Sequence, residues 1–261
     1  MSDARPLQSA IAIWPAEAIW EEVVLFLPDF TVEVLATVDS TNSELMRRAR
    51  AGQHYPVLLV AEAQTAGRGR LGRSWQSGTA DSLTFSLALP LAPADWSGLS
   101  LAVGISVARS LHPALQLKWP NDIWLEDRKL GGILIETASF GEKRFAVIGV
   151  GINIRARAGD GLSTAPACLQ ELLPQVEAPE ALMRIVPALV QAILLFEAQG
   201  FNPFQEAFEA RDVLRGRAVT LSDGTTGSAV GVDATGALLV HTSVGMKAIT
   251  SAEVSVRPVG T

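Results

Sequence analysis

Cysteine is nearly absent from this 261-residue chain, Cys168 being the only one. A single thiol excludes an intrachain disulfide and a Cys-rich zinc site, and it fits a reducing cytoplasm. Histidine is scarce as well: His54, His112 and His241 are far apart and show no metal-ligand spacing. No G-x-S-x-G elbow occurs, so zinc and serine-hydrolase chemistry have little support. Charge is sparse, at 18% of residues with a net −6, which describes a mildly acidic globular protein and disfavours a dedicated nucleic-acid binder. Long apolar runs are missing too. Arg109 and His112 interrupt the one after Leu99, and Arg184 and Pro187 the one after Ala181, so no membrane span is expected. Residues 1–14, with Asp3 beside Arg5, lack the layout of a secretory signal.

What is present reads as a fully folded chain without repeats, 48% apolar and long enough for one large domain plus a small one. Residues 16–27 read as a helix ending at Pro28, and TVEVLATV (31–38) alternates as a half-buried strand should. In DSTNSELMRRARAG, Ser40 or Thr41 can cap a helix, Glu44 sits in its first turn, and Gly52 suits its end. Strands are expected at 57–63 and 83–89, with a loop at 64–80 between them, and an apolar helix at 98–111. Further strands near 115–118, 123–125, 132–137 and 145–152 are separated by short turns, which suits antiparallel hairpins better than repeated βαβ crossovers. Helices at 178–199 and 203–211 follow. Residues 217–258 form short alternating segments broken by Asp-Gly, Thr-Gly and Val-Gly, the pattern of a small β-barrel of about five strands. The expectation is an α+β protein. A mixed, largely antiparallel central sheet flanked by helices occupies residues 1–212, and a C-terminal β-barrel domain occupies residues 213–261.

The most concentrated chemistry is GRGRLGRSW, residues 67–75, directly after the apolar VLLVAEA. Glycine brings backbone amides close to a ligand and arginine supplies a fixed fork of donors, so an anion is the natural occupant. Gly67, Gly69 and Gly72 match G-x-G-x-x-G, but the helix that a dinucleotide fingerprint opens is replaced by the turn formers of SWQSGTADS. The stretch also reads G-x-x-x-x-G-R-S, a P-loop with Arg73 in the lysine position and again no helix. A loop that wraps an anion by itself, as a flexible flap, is the remaining sense of the pattern. Other motifs are weak singly. KWPND (118–122) ends a strand in a Pro-Asn-Asp turn, RKLGGILIE (128–136) starts a strand with Lys129 beside two glycines, and GVGIN (149–153) places polar Asn153 in an apolar strand.

In order, DSTNSE, AEAQTAGRGRLGRSW, KWPNDIWL, RKLGGILIE and GVGIN resemble the biotin protein ligases, with similarity from about residue 38 to the end. The resemblance implies the catalytic fold shared with class II aminoacyl-tRNA synthetases and an SH3-like C-terminal barrel. It also implies the reaction: biotin and ATP, with Mg2+, form biotinyl-5′-AMP and pyrophosphate. Biotin then passes to a lysine of a biotin carboxyl carrier protein of acetyl-CoA carboxylase. By the same resemblance Ser40, Thr41, Asn42 and Gln64 look like the polar lining for the ureido ring of biotin, with Gly132 beside them. Arg68, Gly69 and Arg70 look like the loop that closes over biotin and the adenylate phosphate. Arg73 then faces the polyphosphate, Trp75 the adenine, and Asn153 the nucleotide. Lys129 looks like the lysine that holds the biotin carboxylate beside the α-phosphate, which with Arg68 and Arg70 makes up the implied catalytic set. Lys118, Asn121 and Asp122 lie in the family's turn near the same ligands. Cations suit that task, because two anions 4 Å apart repel by roughly 4 kcal/mol at an effective dielectric near 20.

Two features depart from the family pattern. Leu71 stands where a polar or basic residue is common, and residues 155–174, rich in Ala and Gly, read as a surface insertion. Only about 35 residues precede the motifs, too few for the winged helix of regulatory relatives, so a monofunctional enzyme without DNA binding is expected. A cytoplasmic location follows, and a homodimer is a further expectation. Lipoate or octanoyl transfer shares the catalytic fold, but those enzymes lack the GRGRLGR motif.

Overall fold

The structure is a computed structural model that describes residues 12–157 and 166–250, together with the backbone of residues 256–258. In chain order α1 (Ala16–Val23), β1 (Thr31–Val38), α2 (Thr41–Arg50), β2 (Val57–Gln64) and β3 (Ser82–Pro90) come first. Next are α3 (Leu99–Leu111), β4 (Gln116–Lys118), β5 (Asp122–Leu125), β6 (Arg128–Phe140) and β7 (Lys143–Asn153). Two helices, α4 (Ala178–Gln199) and α5 (Gln205–Glu209), close the larger unit. Its seven strands form one sheet in the order β1-β2-β3-β7-β6-β5-β4. β1 and β2 are parallel, joined by the crossover helix α2, and every other pair is antiparallel. That is the mixed α+β sheet expected from the short turns between apolar segments.

Alternation along the strands sorts the two faces. Leu83, Phe85, Leu87 and Leu89 of β3, and Ala146, Ile148, Val150 and Ile152 of β7, enter a large core closed by α1, α3 and α4. Ser82, Thr84 and Ser86 of β3, and Gly149, Gly151 and Asn153 of β7, fall on the opposite face. There α2 covers only one end, seating Leu45, Met46 and Ala49 on Val57, Leu59, Ala88, Phe145 and Val147. Ser40 caps α2 by accepting from the Ser43 amide, and Glu44 and Glu33 hold Arg48 at 2.8 and 2.7 Å. The helix N-terminus therefore stops over the middle of the sheet, and the small residues beyond it stay uncovered.

One helix, α1, departs from the sequence reading, whereas α4 spans the residues expected of it. The helix expected over 16–27 ends at Val23, whose carbonyl then accepts from both Phe26 and Leu27 in a closing turn. The chain runs continuously helical through Arg184 and Pro187. α4 is a 22-residue helix whose most apolar 18-residue window has a mean hydropathy of 1.7, long and apolar enough by composition to cross a membrane. Its apolar stripe, including Leu182, Ile185, Val186, Leu189, Ile193 and Phe196, is buried against α3, α1 and β3. In this fold it is a core helix.

Five further strands follow: β8 (Ala218–Leu221), β9 (Thr226–Val232), β10 (Leu238–Thr242), β11 (Gly245–Ile249) and β12 (Val256–Pro258). They form an antiparallel sheet in the order β11-β10-β9-β8-β12, with no pairing of β11 to β12 among the described residues. The five strands are those expected; the closure of a barrel is not among the recorded pairs. Several bonds join this sheet to the larger unit, among them Gln205 Nε2 of α5 donating to Val232 O of β9 at 3.0 Å. Residues 211–213 add to the free edge of β4, with Leu117 N donating to Arg211 O and Val213 N to Leu117 O. Arg217 pairs with Asp127 at 2.7 Å, and the buried indole of Trp119 donates to Gly236 O at 3.1 Å.

Candidate active site

The uncovered part of the sheet is the floor of a cavity of about 680 Å³. Strand register places Thr84, Gly151 and Gly132 in one row across β3, β7 and β6, and Ser86, Gly149 and Leu134 in the next. The two β7 glycines are required by what lies on them. A Cβ on Gly149 would collide with the Asn42 amide, and one on Gly151 would stand 2.5 Å from the Trp75 ring. One strand thus admits a side chain from α2 and another from the arginine loop.

A polar network fixes the end nearest α2. Gln64 Oε1 accepts from the Thr41 amide at 2.7 Å and from Thr41 Oγ1 at 3.2 Å. Ser86 Oγ, fully buried, lies 2.7 Å from Thr41 Oγ1 and 2.6 Å from Asn42 Oδ1. Asn42 Nδ2 donates to Leu134 O at 3.2 Å and to Glu136 at 3.1 Å. Polar groups held in this way orient a small ligand by fixed donors and acceptors.

The arginine loop forms a wall of the cavity. It is a miniature hairpin rather than an open coil: Gly69 N donates to Arg73 O at 2.7 Å, Trp75 N donates to Gly67 O at 2.8 Å, and Arg68 bridges Ser74. Leu71 at its tip is exposed with φ 55°, a left-handed conformation that costs a non-glycine residue roughly 1 kcal/mol. Arg68 pairs with Glu136 at 3.0 Å, and Arg70 Nη1 reaches Asn121 Oδ1 at 3.4 Å. Burial pushes the Arg70 guanidinium below its usual value; Asp122 opposes that shift and Arg73 adds to it. Arginine nevertheless stays charged at neutral pH.

On the far wall, the β4–β5 turn presents Lys118, Asn121 and Asp122. Asn121 is locked to β6 by bonds to and from Ile133 at 2.9 and 3.0 Å. Lys129 Nζ donates to Asp122 Oδ1 at 2.6 Å, and Lys118 Nζ lies 4.6 Å from the centre of the Trp124 ring. Ser40, Thr41, Asn42, Gln64, Arg68, Gly69, Arg70, Arg73, Trp75, Lys118, Asn121, Asp122, Lys129 and Gly132 all line this one cavity. Asn153 does not. It is buried one row beyond Gly151, opposite Ser82, with Nδ2 donating to Ala167 O at 3.0 Å and Oδ1 unpartnered. Ser86 and Glu136 do not line the cavity, but both hydrogen-bond Asn42, which does, and nothing in the sequence marks them. Each looks like routine alternation in its strand, and only the register brings them under α2. Arg157, at the start of the expected insertion, lies over the Trp75 ring at 5.5 Å; residues 158–165 of that insertion fall outside the described residues.

A mostly antiparallel sheet with one half-open face, a cage of hydrogen-bonding groups at one end and clustered cations at the other, suits a protein that holds a small polar organic ligand beside an anion. The chain belongs to the Biotin/lipoate A/B protein ligase family, whose profile matches residues 34–153, while residues 214–257 match the biotin protein ligase C terminal domain. It is 35% identical over 242 residues to the bifunctional ligase/repressor BirA of Escherichia coli, covering 87% of this chain and 74% of that one. It is 31% identical over 240 residues to the biotin–[acetyl-CoA-carboxylase] ligase of Paracoccus denitrificans, covering 85% and 98%. The biotin protein ligase from Aquifex aeolicus, solved in complex with biotin and ATP, superposes with a TM-score of 0.75 at 30% identity, covering 87% and 98% of the two chains.

Proposed function

We propose that the chain is a biotin–[biotin carboxyl carrier protein] ligase. The observation that carries this reading is the meeting, in one cavity, of the Thr41–Gln64–Asn42–Ser86 network with Arg70, Arg73, Lys118 and Lys129. Biotin has two ends, a ureido ring that exchanges hydrogen bonds and a carboxylate. The network takes the ring, and Lys129 meets the carboxylate. A carboxylate oxygen attacks the α-phosphorus of ATP, the bond to the bridging oxygen breaks, and pyrophosphate leaves. The carboxylate is ionised at neutral pH, so this step needs no general base. Fixed cations offset the repulsion between the two anions and the charge that develops on the departing phosphates. The neutral amine of a carrier lysine then attacks the acyl carbon, the bond from that carbon to the phosphate oxygen breaks, AMP departs and the nitrogen gives up a proton.

Trp75 serves the nucleotide from the cavity wall, and Asn153, buried one row beyond the wall, is assigned to the nucleotide by the family resemblance. Asn153 Oδ1 is a buried acceptor whose orientation is set by the Ala167 bond, one row from Trp75. Mg2+ is expected with ATP. No group of three or more His, Cys, Asp or Glu side chains able to hold a metal occurs among the described residues, and the carboxylate on the cavity wall is Asp122. That donor set fits a cation coordinated mainly by phosphate oxygens and water, with one protein carboxylate at hand. When bound, the ion would neutralise the polyphosphate.

Residues 1–212 form the proposed catalytic unit and residues 213–261 the C-terminal unit, a division supported by the two profile matches. The substrates place the reaction in the cytoplasm, and it calls for neither DNA nor a membrane. A homodimer is part of the proposal, read by sedimentation with and without biotinyl-5′-AMP. The test of the whole reading is incubation with biotin, MgATP and a carrier domain. One carrier lysine should be labelled and pyrophosphate released; labelling that instead requires lipoate would overturn it.

A further inference from the structure

Glu136 is a carboxylate on the cavity side of β6 to which the reaction as described gives no task. Two independent elements converge on it. From the arginine loop, Arg68 brings Nη2 to Oε1 at 3.0 Å and Nη1 to Oε2 at 3.3 Å, with a further bond from Nη1 to Ser43 Oγ at 3.2 Å. From the start of α2, Asn42 donates Nδ2 to the same Oε2 at 3.1 Å. The other acceptor of Nδ2 is Leu134 O, and Asn42 Oδ1 is met by Ser86. Both donors of the Asn42 amide are thereby committed and its orientation is determined, because reversing it would turn Oδ1 toward a carboxylate and a carbonyl.

We infer that Glu136 is a positioning residue that ties the base of the arginine loop to the Asn42 amide, and that Arg68 acts as the anchor of that loop rather than as a ligand for the phosphates. This rests on the biotin ligase reading and deepens it. Charge supports the division of labour. The Arg68 guanidinium already faces a carboxylate with both terminal nitrogens, the bidentate arrangement that holds a planar fork in place. Arg70 and Arg73 lie beyond the anchored residue on the same hairpin and keep their places on the cavity wall because its base is tied. The consequence is selective: the pair organises the end that receives biotin, so its loss weakens capture of biotin more than it slows the chemical step.

The test uses the full chain and initial rates of biotin-dependent pyrophosphate release, with Glu136→Gln, Arg68→Met and the double variant. Gln still accepts from Asn42 but abandons the ion pair. Each single variant should raise KM for biotin by about tenfold, as expected for one charge-assisted contact at a half-exposed site, with kcat and KM for ATP within about twofold. The double variant should be no worse than either single one, because both remove the same tie. Trypsin gives a second readout that needs no catalysis. Without ligand, cleavage after Arg68, Arg70 and Arg73 should be several-fold faster in Glu136→Gln than in the parent, at equal circular dichroism and melting temperature. An unchanged KM for biotin, additive losses, or a rise in KM for ATP with Arg68→Met would overturn the inference. A parent protein that releases no pyrophosphate with biotin would instead sink the ligase reading, and the trypsin comparison would still decide whether Glu136 ties the loop.

Discussion

At the scale of residues, Gly149 and Gly151 stand two positions apart on β7, yet a methyl group on each would strike a different partner. On Gly149 it displaces Asn42 and disturbs the network assigned to biotin; on Gly151 it displaces the Trp75 ring assigned to the nucleotide. Overpacking of this kind costs about 1–3 kcal/mol, so Gly149→Ala should raise KM for biotin by about tenfold and Gly151→Ala should do the same for ATP. Steady-state kinetics with each substrate varied in turn checks the split; equal effects on both substrates would contradict the assignment. The sequence disclosed most of these residues because cations, glycines and amides stand out among apolar strands. Ser86 and Glu136 were hidden. A serine in SLTFSLAL and a glutamate at the end of GGILIE carry no local mark of function, and their importance arises from contacts 44 and 94 positions away in the chain, at Asn42. Asn153 shows the converse: it is conspicuous in sequence but one row removed from the cavity wall.

At the scale of elements, the segment between α5 and β8 carries a half-buried acid. Asp212 Oδ1 accepts from Leu214 N at 2.8 Å, while Oδ2 is buried without a partner. Burial pushes its carboxyl up from 3.8 to about 6, against the pull of the Leu214 amide and the charge of Arg215. The folded state therefore holds its proton more tightly than the unfolded one. The contribution of this group is fully present below pH 3.8, declines as pH rises toward 6, and leaves an ionised carboxylate costing at most about 3 kcal/mol above that. Asp212→Asn keeps the acceptor for Leu214 and should stabilise the protein at pH 8, with the gain shrinking toward pH 4. Urea midpoints of parent and variant across that range check it; a gain independent of pH would exclude ionisation as the cause. Element boundaries were readable where periodicity and punctuation agreed, as at β1, α2 and α4. They were missed where tertiary bonds decide. α1 stops early because the Val23 carbonyl is taken by a turn, and the hairpin arms of β6 and β7 extend past their apolar residues because each arm supplies the other with partners.

At the scale of the whole molecule, Trp119 is the point at which the C-terminal sheet touches the catalytic cavity. Its ring lines the cavity while its Nε1 donates to Gly236 O in the turn between β9 and β10. Trp119→Phe removes that donor and part of a buried ring, and should cost about 2 kcal/mol in denaturant unfolding. An unshifted midpoint would mean the contact adds nothing to holding the units together. No reading of composition or spacing connects residues 119 and 236; the β4 edge and the 211–213 bridge place them side by side. The floor of the cavity has a further consequence for how ligands are felt. It is built on β3, β7 and β6, the three central strands, whose amides should exchange with solvent only when the sheet comes apart. A molecule resting there slows deuterium uptake across the entire catalytic unit, in proportion to its affinity, rather than only at the atoms it touches. The arginine loop, outside that cooperative block, would register the same molecule as a local change of a few amides, so a single exchange experiment separates occupancy of the floor from closure of the loop.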